Sequence, residues 1–280
     1  MIIEALRARK VFSEIAALDE SVFSLDRAAL TLGLEEYPDL QIDEYLRRLD
    51  TLAARVQVIS GSSRSAQNRI EALNEVLFIQ EGLRGNQEDY YDPHNSYLNE
   101  VLDKRIGIPI TLSVIYIEVA RRIGFNLEGV GFPGHFLVKY LDKGKPILID
   151  AFNQGRILTP RNLQELLDRI YGGSVNVQQS YLQGMDKKAI ISRMLFNLKG
   201  IYYQKEEYYK ALSVVERILI LNPEMPSEIR DRGLLYMQTS LFAKALADLQ
   251  YYLTHTSSPE DSSNIQGHIR TLRNIVCAVN

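Results

Sequence analysis

Two residues in this sequence have the types and positions needed for general-base chemistry, His135 and Asp150. His135 follows Pro133-Gly134 near the start of a strand-like stretch, GVGFPGHFLVKYL, and Asp150 ends the short apolar run ILID. A charged, glycine-containing turn separates the two stretches, which predicts two neighbouring strands. An imidazole held by a carboxylate is a good general base. We therefore predict that the two side chains share a hydrogen bond.

Both residues also have a purely structural interpretation. His135 could be a core histidine whose ring is satisfied by a backbone carbonyl. Asp150 could cap the loop into Ala151-Phe152-Asn153. A base with no group to activate would be a structural relic or a binding group.

A helix is predicted immediately before these strands. Apolar residues recur at helical spacing from Ile110 to Ala120, and Pro109 occupies the first turn, where its missing N–H is tolerated. The basic pair Arg121-Arg122 and then Gly124 predict the end of this helix. A helix N-terminus, a strand histidine and a strand aspartate thus follow one another along the chain.

This order resembles the core of the transglutaminase-like, papain-type fold. The resemblance implies a cysteine nucleophile in the first turn of the helix, with the histidine as its base and the aspartate orienting the histidine. When the sequences are aligned on the helix end at Gly124, the family's Gly-x-Cys falls on Gly107-Ile108-Pro109. The base and the orienting residue match at His135 and Asp150, but Pro109 stands at the cysteine position.

Several motifs narrow the resemblance to the SirB1 family of transglutaminase-like proteins. They run from about Leu25 to about Leu158 and read EEYPDL, LNEVLF, YYDPHNSYLNEVLDKRIGIPITLSVIY, GFPGHFLVKY and IDAFNQGRIL. The resemblance implies a helical lead-in followed by the papain-like core, and it implies no defined reaction.

Two hydroxyl groups lie near enough to Pro109 to be considered as replacement nucleophiles. Thr111 and Ser113 follow it by two and four residues, so each points in a different direction on a helix of 3.6 residues per turn. A hydroxyl is also a weaker nucleophile than a thiolate and needs an aligned base. The favoured interpretation is that they bond the preceding turn or line the core. The only cysteine, Cys277, lies outside the motifs, and we expect it to be a small packing residue in a C-terminal helix.

Polar residues before the central helix form a second candidate site. Asp92, Asn95 and Asn99 match motif positions and could form a polar rim over a pocket at His135. The alternative is turn and cap chemistry, in which Asn95 or Ser96 caps the helix that contains Leu98, Val101 and Leu102.

A repeat begins at about Ser192. A shift of 34 residues, the tetratricopeptide period, superposes pairs of similar residues: Tyr202 on Tyr236, Ala211 on Ala245, Leu212 on Leu246, Val215 on Leu249 and Leu219 on Leu253. Gly233 stands at a glycine position of the repeat, where the first copy has Lys199, and Pro223 corresponds to Ser257. Stacked helical repeats present concave peptide-binding surfaces, and we assign Tyr202 and Tyr236 to such a surface as binding residues.

Composition excludes some classes of function. The net charge of −3 gives no electrostatic footprint for nucleic acid, and no apolar run approaches the length of a membrane span. A single cysteine fits a reducing compartment, for which the cytoplasm is the default. His94, His255 and His268 are dispersed, so we predict neither a metal site nor a cofactor. The oligomeric state is not predicted.

The predicted fold is α+β in three parts. Residues 1–88 form a helical lead-in, 89–185 the transglutaminase-like core with a small antiparallel sheet, and 186–280 about two tetratricopeptide-like hairpins plus a terminal helix. The preferred hypothesis is a non-catalytic protein-interaction or regulatory module that holds a protein or peptide partner through its repeats. The alternative is a hydrolase or acyltransferase acting on peptides or amides, with His135 as base and Thr111, Ser113 or water as nucleophile.

Overall fold

A computed structural model describes residues 2–63, 65–256 and 261–279. The chain forms two compact units, Met1–Met194 and Leu195–Asn280. The first contains helices and a small antiparallel sheet, and the described residues of the second are helical, which confirms the predicted fold class. The division at residues 88 and 89 within the first unit stays a prediction.

The N-terminal region is helical because its apolar residues recur at helical spacing and can be buried on one face. In the third helix, for example, Leu49, Leu52, Ala53 and Val56 are buried. The fourth helix continues into a π-helical segment, Glu75–Gln80, which the sequence pattern does not distinguish from an α-helix. The helices are α1 (Ile2–Ala16), α2 (Leu25–Thr31), α3 (Ile42–Ser60) and α4 (Ala66–Asn74).

A central helix lies inside the first unit. After the short α5 (Leu98–Lys104), α6 (Pro109–Arg122) buries every residue from Pro109 to Ala120. It packs against α2, α3 and α5 and also against the sheet, so it has no solvent-facing side along most of its length. This burial explains why its sequence is apolar around the whole circumference.

The C-terminal end of α6 is held by ion pairs. The Arg122 guanidinium lies 2.6 Å from Asp26 of α2, 2.7 Å from Asp50 of α3 and 3.0 Å from Glu118. Because Asp26 and Glu118 are buried, these contacts supply the partners that buried carboxylates require. The lead-in helices are thereby attached to the core.

Within the described residues, five antiparallel strands form the main sheet in the order β6-β5-β4-β3-β7. Their bounds are β3 (Glu128–Val130), β4 (Leu137–Asp142), β5 (Lys145–Asp150), β6 (Arg156–Leu158) and β7 (Gly184–Met185), and a separate parallel pair is formed by β1 (Arg84–Gly85) and β2 (Ile106–Gly107). The single strand predicted around His135 is wrong, because Gly134 adopts φ 67° in a turn that separates β3 from β4.

The hairpin of β4 and β5 carries the predicted His–Asp pair. Lys143 and Gly144 have φ of 51° and 83°, which suits a two-residue turn whose twist matches that of the strands. Helix α7 (Pro160–Tyr171) covers one face of the sheet through Leu163, Leu166 and Leu167. These leucines pack with residues of the strands and the β3–β4 turn, including Val130, Phe132, Leu137 and Leu148.

The repeats are helical hairpins, as predicted. Their helices are α8 (Lys187–Gln204), which begins in the first unit, followed by α9 (Tyr208–Leu221), α10 (Pro226–Gln238), α11 (Phe242–His255) and α12 (Ser262–Val279). A Cβ at Gly233 would lie 2.8 Å from Leu249, so glycine allows α10 and α11 to pack closely. Ser257, the predicted counterpart of Pro223, lies outside the described residues.

Cys277 corrects a sequence-based expectation. It lies on α12 and is exposed, so it is not a packing residue. Helical periodicity identified its element, but it did not identify which side of the helix faces solvent.

Candidate functional site

The structure brings His135 and Asp150 together. Nε2 of His135 lies 3.0 Å from Oδ1 of Asp150, which confirms the predicted hydrogen bond. The two residues are 8% and 2% exposed. The other ring nitrogen of His135, Nδ1, makes no hydrogen bond to any residue that the structure describes. A free ring nitrogen is the atom that a general base would use.

Asp150 performs both roles that its sequence position suggested. Besides binding His135, Oδ1 accepts hydrogen bonds from the backbone N–H groups of Phe152 and Asn153 at 3.1 and 3.2 Å, and Oδ2 accepts one from the Asn153 side chain at 2.7 Å. Burial raises the pKa of Asp150, but His135 and these donors outweigh burial, so the pKa lies below its ordinary value. The carboxylate therefore stays charged at neutral pH.

The turn after Asp150 depends on a glycine and on Asn74. Gly155 has φ 72°, and its N–H donates to the Asp150 carbonyl at 2.8 Å. The Asn74 amide donates to the Gly155 carbonyl at 3.1 Å, while Tyr116 of α6 donates to Oδ1 of Asn74 at 3.1 Å. A Cβ at position 155 would lie 1.8 Å from that Asn74 oxygen. The turn is thus fixed between the lead-in helices and the central helix.

Phe152 fills the space beside the imidazole. Its ring contacts the His135 ring edge-on, with centroids 5.9 Å apart. On another side it lies against Gly85, where an added Cβ would meet ring carbons at 2.4–2.7 Å. Because Gly85 pairs with Gly107, two residues before Pro109, the Phe152 ring lies between His135 and the strand pair that leads into α6.

The two candidate hydroxyl nucleophiles are occupied or enclosed. Thr111 is fully buried; its hydroxyl lies 2.9 Å from the Asn95 carbonyl and 3.1 Å from the Ile108 carbonyl, and it accepts from the Ile108 N–H at 3.1 Å. Ser113 is also fully buried, and its hydroxyl has no hydrogen-bond partner among the described residues. Among the residues that the structure describes, neither hydroxyl forms a hydrogen bond with His135. Thr111 is a helix-capping residue, as the structural alternative proposed.

The residues of the predicted polar rim take part in local turn structure, and their role over a pocket stays a prediction. Asp92 accepts from the His94 N–H at 3.0 Å, and Asn95 donates to the carbonyls of Asp89 and Tyr90 at 2.7 and 3.3 Å. Burial raises the pKa of Asp92, but His94 outweighs it and leaves the pKa below its ordinary value.

Asn99 is buried against Gly33, whose Cβ position would lie 2.7 Å from Oδ1 of Asn99. The expectation that Asn95 or Ser96 caps α5 is wrong, because the N-cap is Tyr97 and no side chain caps the helix there. The physical reason is that the segment before Tyr97 forms its own 3-10 turn, Pro93–Ser96.

A cavity of about 450 Å³ lies beside Phe152 and Asn153, and neither His135 nor Asp150 lines it. Phe152, Asn153 and Gln154 form one wall, and the strands β1 and β2 contribute Gly85 and Ile106. Asp150 itself lines a smaller cavity of about 70 Å³ with Asn162, Glu165 and Arg169 of α7. The described residues contain no group of three or more His, Cys, Asp or Glu that could hold a metal ion.

Comparison with known proteins places this architecture in a family. The model of the Transglutaminase-like superfamily matches residues 43–196, more than half of the chain, and the Tetratricopeptide repeat model matches residues 198–270. A UPF0162 protein of Xylella fastidiosa is 37% identical over 274 residues, which cover 94% of this chain and 95% of that protein. The chain belongs to the transglutaminase-like superfamily. Its SirB1-like assignment and its repeats are confirmed.

Two further similarities are more limited in extent. Human F-box only protein 21 is 36% identical over 140 residues, covering 47% of this chain and 21% of that protein. The match to the solved structure of menin covers 95% of this chain and 74% of the menin chain, at 11% identity and a TM-score of 0.40. At that TM-score the similarity supports no inference about function.

Pro109, which the sequence predicts to stand at the family's cysteine position, is the first residue of α6 and is buried. A proline there supplies neither a nucleophile nor an N–H donor. His135 and Asp150, the residues predicted to match the superfamily's histidine and aspartate, are hydrogen-bonded, and the match of Pro109 to its cysteine stays a prediction.

The repeat tyrosines assigned to a binding surface lie in the repeat interior. Tyr202 is 2% exposed and Tyr236 is 7% exposed, and the Tyr236 hydroxyl donates to Glu216 at 3.0 Å. Their positions are right for the repeat signature, because its aromatic residue packs between helices. Other side chains must line any binding surface on the repeats.

Two residues beside His135 were not identified from the sequence, Phe152 and Arg193. Phe152 lies inside the motif IDAFNQGRIL, so its proximity to Asp150 was a usable signal. Arg193 lies beyond the matching motifs, and its guanidinium donates to the carbonyls of Phe132 and His135 at 3.0 and 2.6 Å. No local pattern marks such a long-range contact.

None of the described helices has the length and apolar character needed to span a membrane.

Proposed function

We propose that this chain is a protein-interaction or regulatory module of the cytoplasm. Its transglutaminase-like core performs no catalysis, and its tetratricopeptide repeats hold a protein or peptide partner. The main support is Pro109, because a buried proline at the cysteine position removes the reactive thiol on which the superfamily's acyl chemistry depends. Thr111 does not replace that thiol, since its hydroxyl is engaged with backbone groups.

The repeats support the binding half of this proposal. Helical hairpins of this type present extended surfaces to partners. Tyr209 of α9 and Tyr251 of α11 are 73% and 39% exposed, and exposed tyrosines are frequent anchors of protein interfaces. By contrast, Lys199 is held by Glu228 and Asp231, at 2.7 Å each, so its charge is already neutralised. The proposed partner surface is therefore centred on exposed tyrosines.

The occurrence of a related core in F-box only protein 21 is consistent with a module. There the matching segment makes up only 21% of the protein. The same core thus occurs with different additional segments, as expected of a unit that is combined with other domains.

Partner capture with the full chain tests the proposal. Proteins retained from a cytoplasmic extract are identified, purified and then titrated against the wild type, Tyr209→Ala, Tyr251→Ala and the control Val58→Ala, which changes an exposed residue of α3. We expect the tyrosine variants to weaken binding by roughly tenfold or more and the control to leave it unchanged. A partner whose affinity is the same for all four proteins would contradict the assignment to the repeats.

A second candidate is a hydrolase that activates water. It is favoured by the free Nδ1 of His135 and by the cavity beside Phe152. Its test is turnover of a peptide library by the wild type and by His135→Gln at equal folded fraction. Cleavage that requires His135 would replace the non-catalytic proposal, whereas equal background rates would exclude this candidate.

A further inference from the structure

Arg193 occupies an unusual position beside the His–Asp pair. Both hydrogens of its Nη2 atom are used by the carbonyls of Phe132 and His135, at 3.0 and 2.6 Å. One face of the guanidinium lies over the Phe136 ring, 5.6 Å from its centroid. Nη1 and Nε make no hydrogen bond to the residues that the structure describes, so three N–H hydrogens remain available.

Arg193 also differs from other partly buried arginines of the chain. Arg122 lies 2.6 Å from Asp26, and Arg232 lies 2.7 Å from Asp248. Arg193 forms no ion pair with any Asp or Glu in residues 2–63, 65–256 and 261–279. Burial lowers its pKa, and the groups that act against burial are the phenols of Tyr90 and Tyr171. Partly buried charges are normally paired, because desolvation of an unpaired charge is costly.

Partly exposed side chains lie near Arg193, which is itself only partly buried. Nη1 lies against Gly131, where an added Cβ would be 2.7 Å away, so glycine makes room for the guanidinium. Tyr90 is 37% exposed, and its ring lies edge-on to Phe152, which contacts the His135 ring; the His135 carbonyl accepts from Arg193. Tyr171 is 44% exposed and directly follows Ile170. Ile170, which is 41% exposed, packs against Gly134 in the turn before His135. A cation and a partly exposed aromatic rim are thus combined at one place.

We propose that Arg193, Tyr90 and Tyr171 form a binding site for a carboxylate group carried by a peptide or by a small organic acid. The carboxylate accepts hydrogen bonds from Nη1 and Nε of Arg193, and the apolar part of the ligand packs against the two tyrosine rings. This site lies in the core and is independent of the partner surface proposed for the repeats.

The donor set matches a carboxylate better than a phosphate. Phosphate sites usually combine several cations or a row of backbone N–H groups. Here one guanidinium supplies the positive charge, and the partly exposed side chains near it, Tyr90, Ile170 and Tyr171, add no further cation. A ligand with one negative charge and an apolar substituent fits both the guanidinium and the two tyrosine rings.

Binding of 3-phenylpropionate to the full chain, with 3-phenylpropionamide as the uncharged control, tests the site. The acid and the amide are titrated by ligand-observed NMR, and the peptide N-acetyl-Gly-Gly-Phe is compared with its C-terminal amide. We expect both acids to bind and both amides to bind roughly tenfold or more weakly, because the charge-assisted hydrogen bonds are lost. Tighter binding of the peptide acid than of 3-phenylpropionate would assign the ligand to a peptide C-terminus, and equal binding would assign it to small acids.

Two variants locate the binding. Arg193→Met removes the cation, but it also removes the bonds to Phe132 and His135. Tyr171→Glu leaves those bonds in place and supplies an internal carboxylate that competes with the ligand. The control is Val58→Glu, which introduces the same carboxylate at an exposed residue of α3.

We expect Tyr171→Glu to lower the affinity for both acids by roughly tenfold or more and Val58→Glu to leave it unchanged. The proposal is overturned if acids and amides bind equally, or if Tyr171→Glu binds the acids as the wild type does. If Arg193→Met does not fold, the Tyr171→Glu result decides.

Discussion

His135 and Pro109 are the residues predicted for the base and nucleophile positions of one family site, and their surroundings differ. Around His135, a charged and fully hydrogen-bonded Asp150 holds the ring, and one ring nitrogen remains free. Around Pro109, the groups are apolar or satisfied by backbone, as at Thr111. The difference teaches that the His–Asp pair has a structural use that does not depend on a thiol, because Asp150 also organises the turn that follows β5.

The largest effect is expected on the base side, from Asp150→Ala. The change leaves His135, the N–H groups of Phe152 and Asn153 and the Asn153 amide without their acceptor in a buried place. We expect the free energy of unfolding to fall by about 3 kcal/mol, measured by urea denaturation. Glu165→Ala, at an exposed carboxylate of α7, is the control and should change stability little. An Asp150→Ala protein as stable as this control would remove the structural explanation for the pair.

A pH titration of stability sharpens the same point. Because the pKa of Asp150 is lowered in the folded chain, its charged form stabilises folding above the unfolded value of about 3.9. That stabilisation is lost as the pH falls through the still lower folded pKa. The stability difference between the wild type and Asp150→Asn should therefore be constant above about pH 5 and should shrink below about pH 4. A difference that grows on acidification would mean that the charged form is not the stabilising one.

Pro109→Cys tests whether the nucleophile side lacks only its thiol. The residue is buried, and Phe152 lies between His135 and the strand pair that leads to this position, so we expect alkylation roughly tenfold slower than at the exposed Cys277 of the same protein. Iodoacetamide labelling read by mass spectrometry compares the two thiols directly. Adding Phe152→Ala should accelerate labelling at position 109 only.

The opposite result at position 109 would be equally informative. Rapid labelling of the single variant, with a thiol pKa well below about 8.5, would show that the base side still activates a thiol there. The difference between the His135 side and the Pro109 side would then be due to the residue at position 109 alone.

The smallest effects are expected from the two buried hydroxyls. Thr111→Val removes a cap that bonds Ile108 and Asn95, and it should cost about 1 kcal/mol, while Thr111→Ser should keep most of the stability. Ser113→Ala removes a buried hydroxyl that has no partner among the described residues, so stability should stay within about 0.5 kcal/mol of the wild type or rise. Thermal unfolding of the three variants gives this ranking. A larger loss at Ser113 than at Thr111 would reverse the interpretation of these two side chains.

The sequence predicted the features that depend on local pattern or on motif order. Helical spacing located α6, the 34-residue shift located the repeats, and motif order paired His135 with Asp150. These predictions succeed because the residues that decide them lie close together in sequence or recur at a fixed period.

The features that the sequence did not reveal depend on long-range packing. Arg193 reaches the His135 carbonyl from a helix 58 residues away. The burial of Tyr202 and Tyr236 and the exposure of Cys277 depend on which side of a helix meets its neighbours. The amino-acid composition around each residue does not indicate which side of the helix will be buried.

Gly155 shows how a position without chemistry can be as constrained as a site residue. Asn74 lies where any side chain at 155 would have to begin, and the backbone there has positive φ. Every substitution in a saturation scan should therefore disturb the turn that carries Asp150, and positions 150 and 155 should give similar patterns of intolerance. Sequence conservation in this stretch would therefore reflect the requirements of folding, and it would not indicate catalysis.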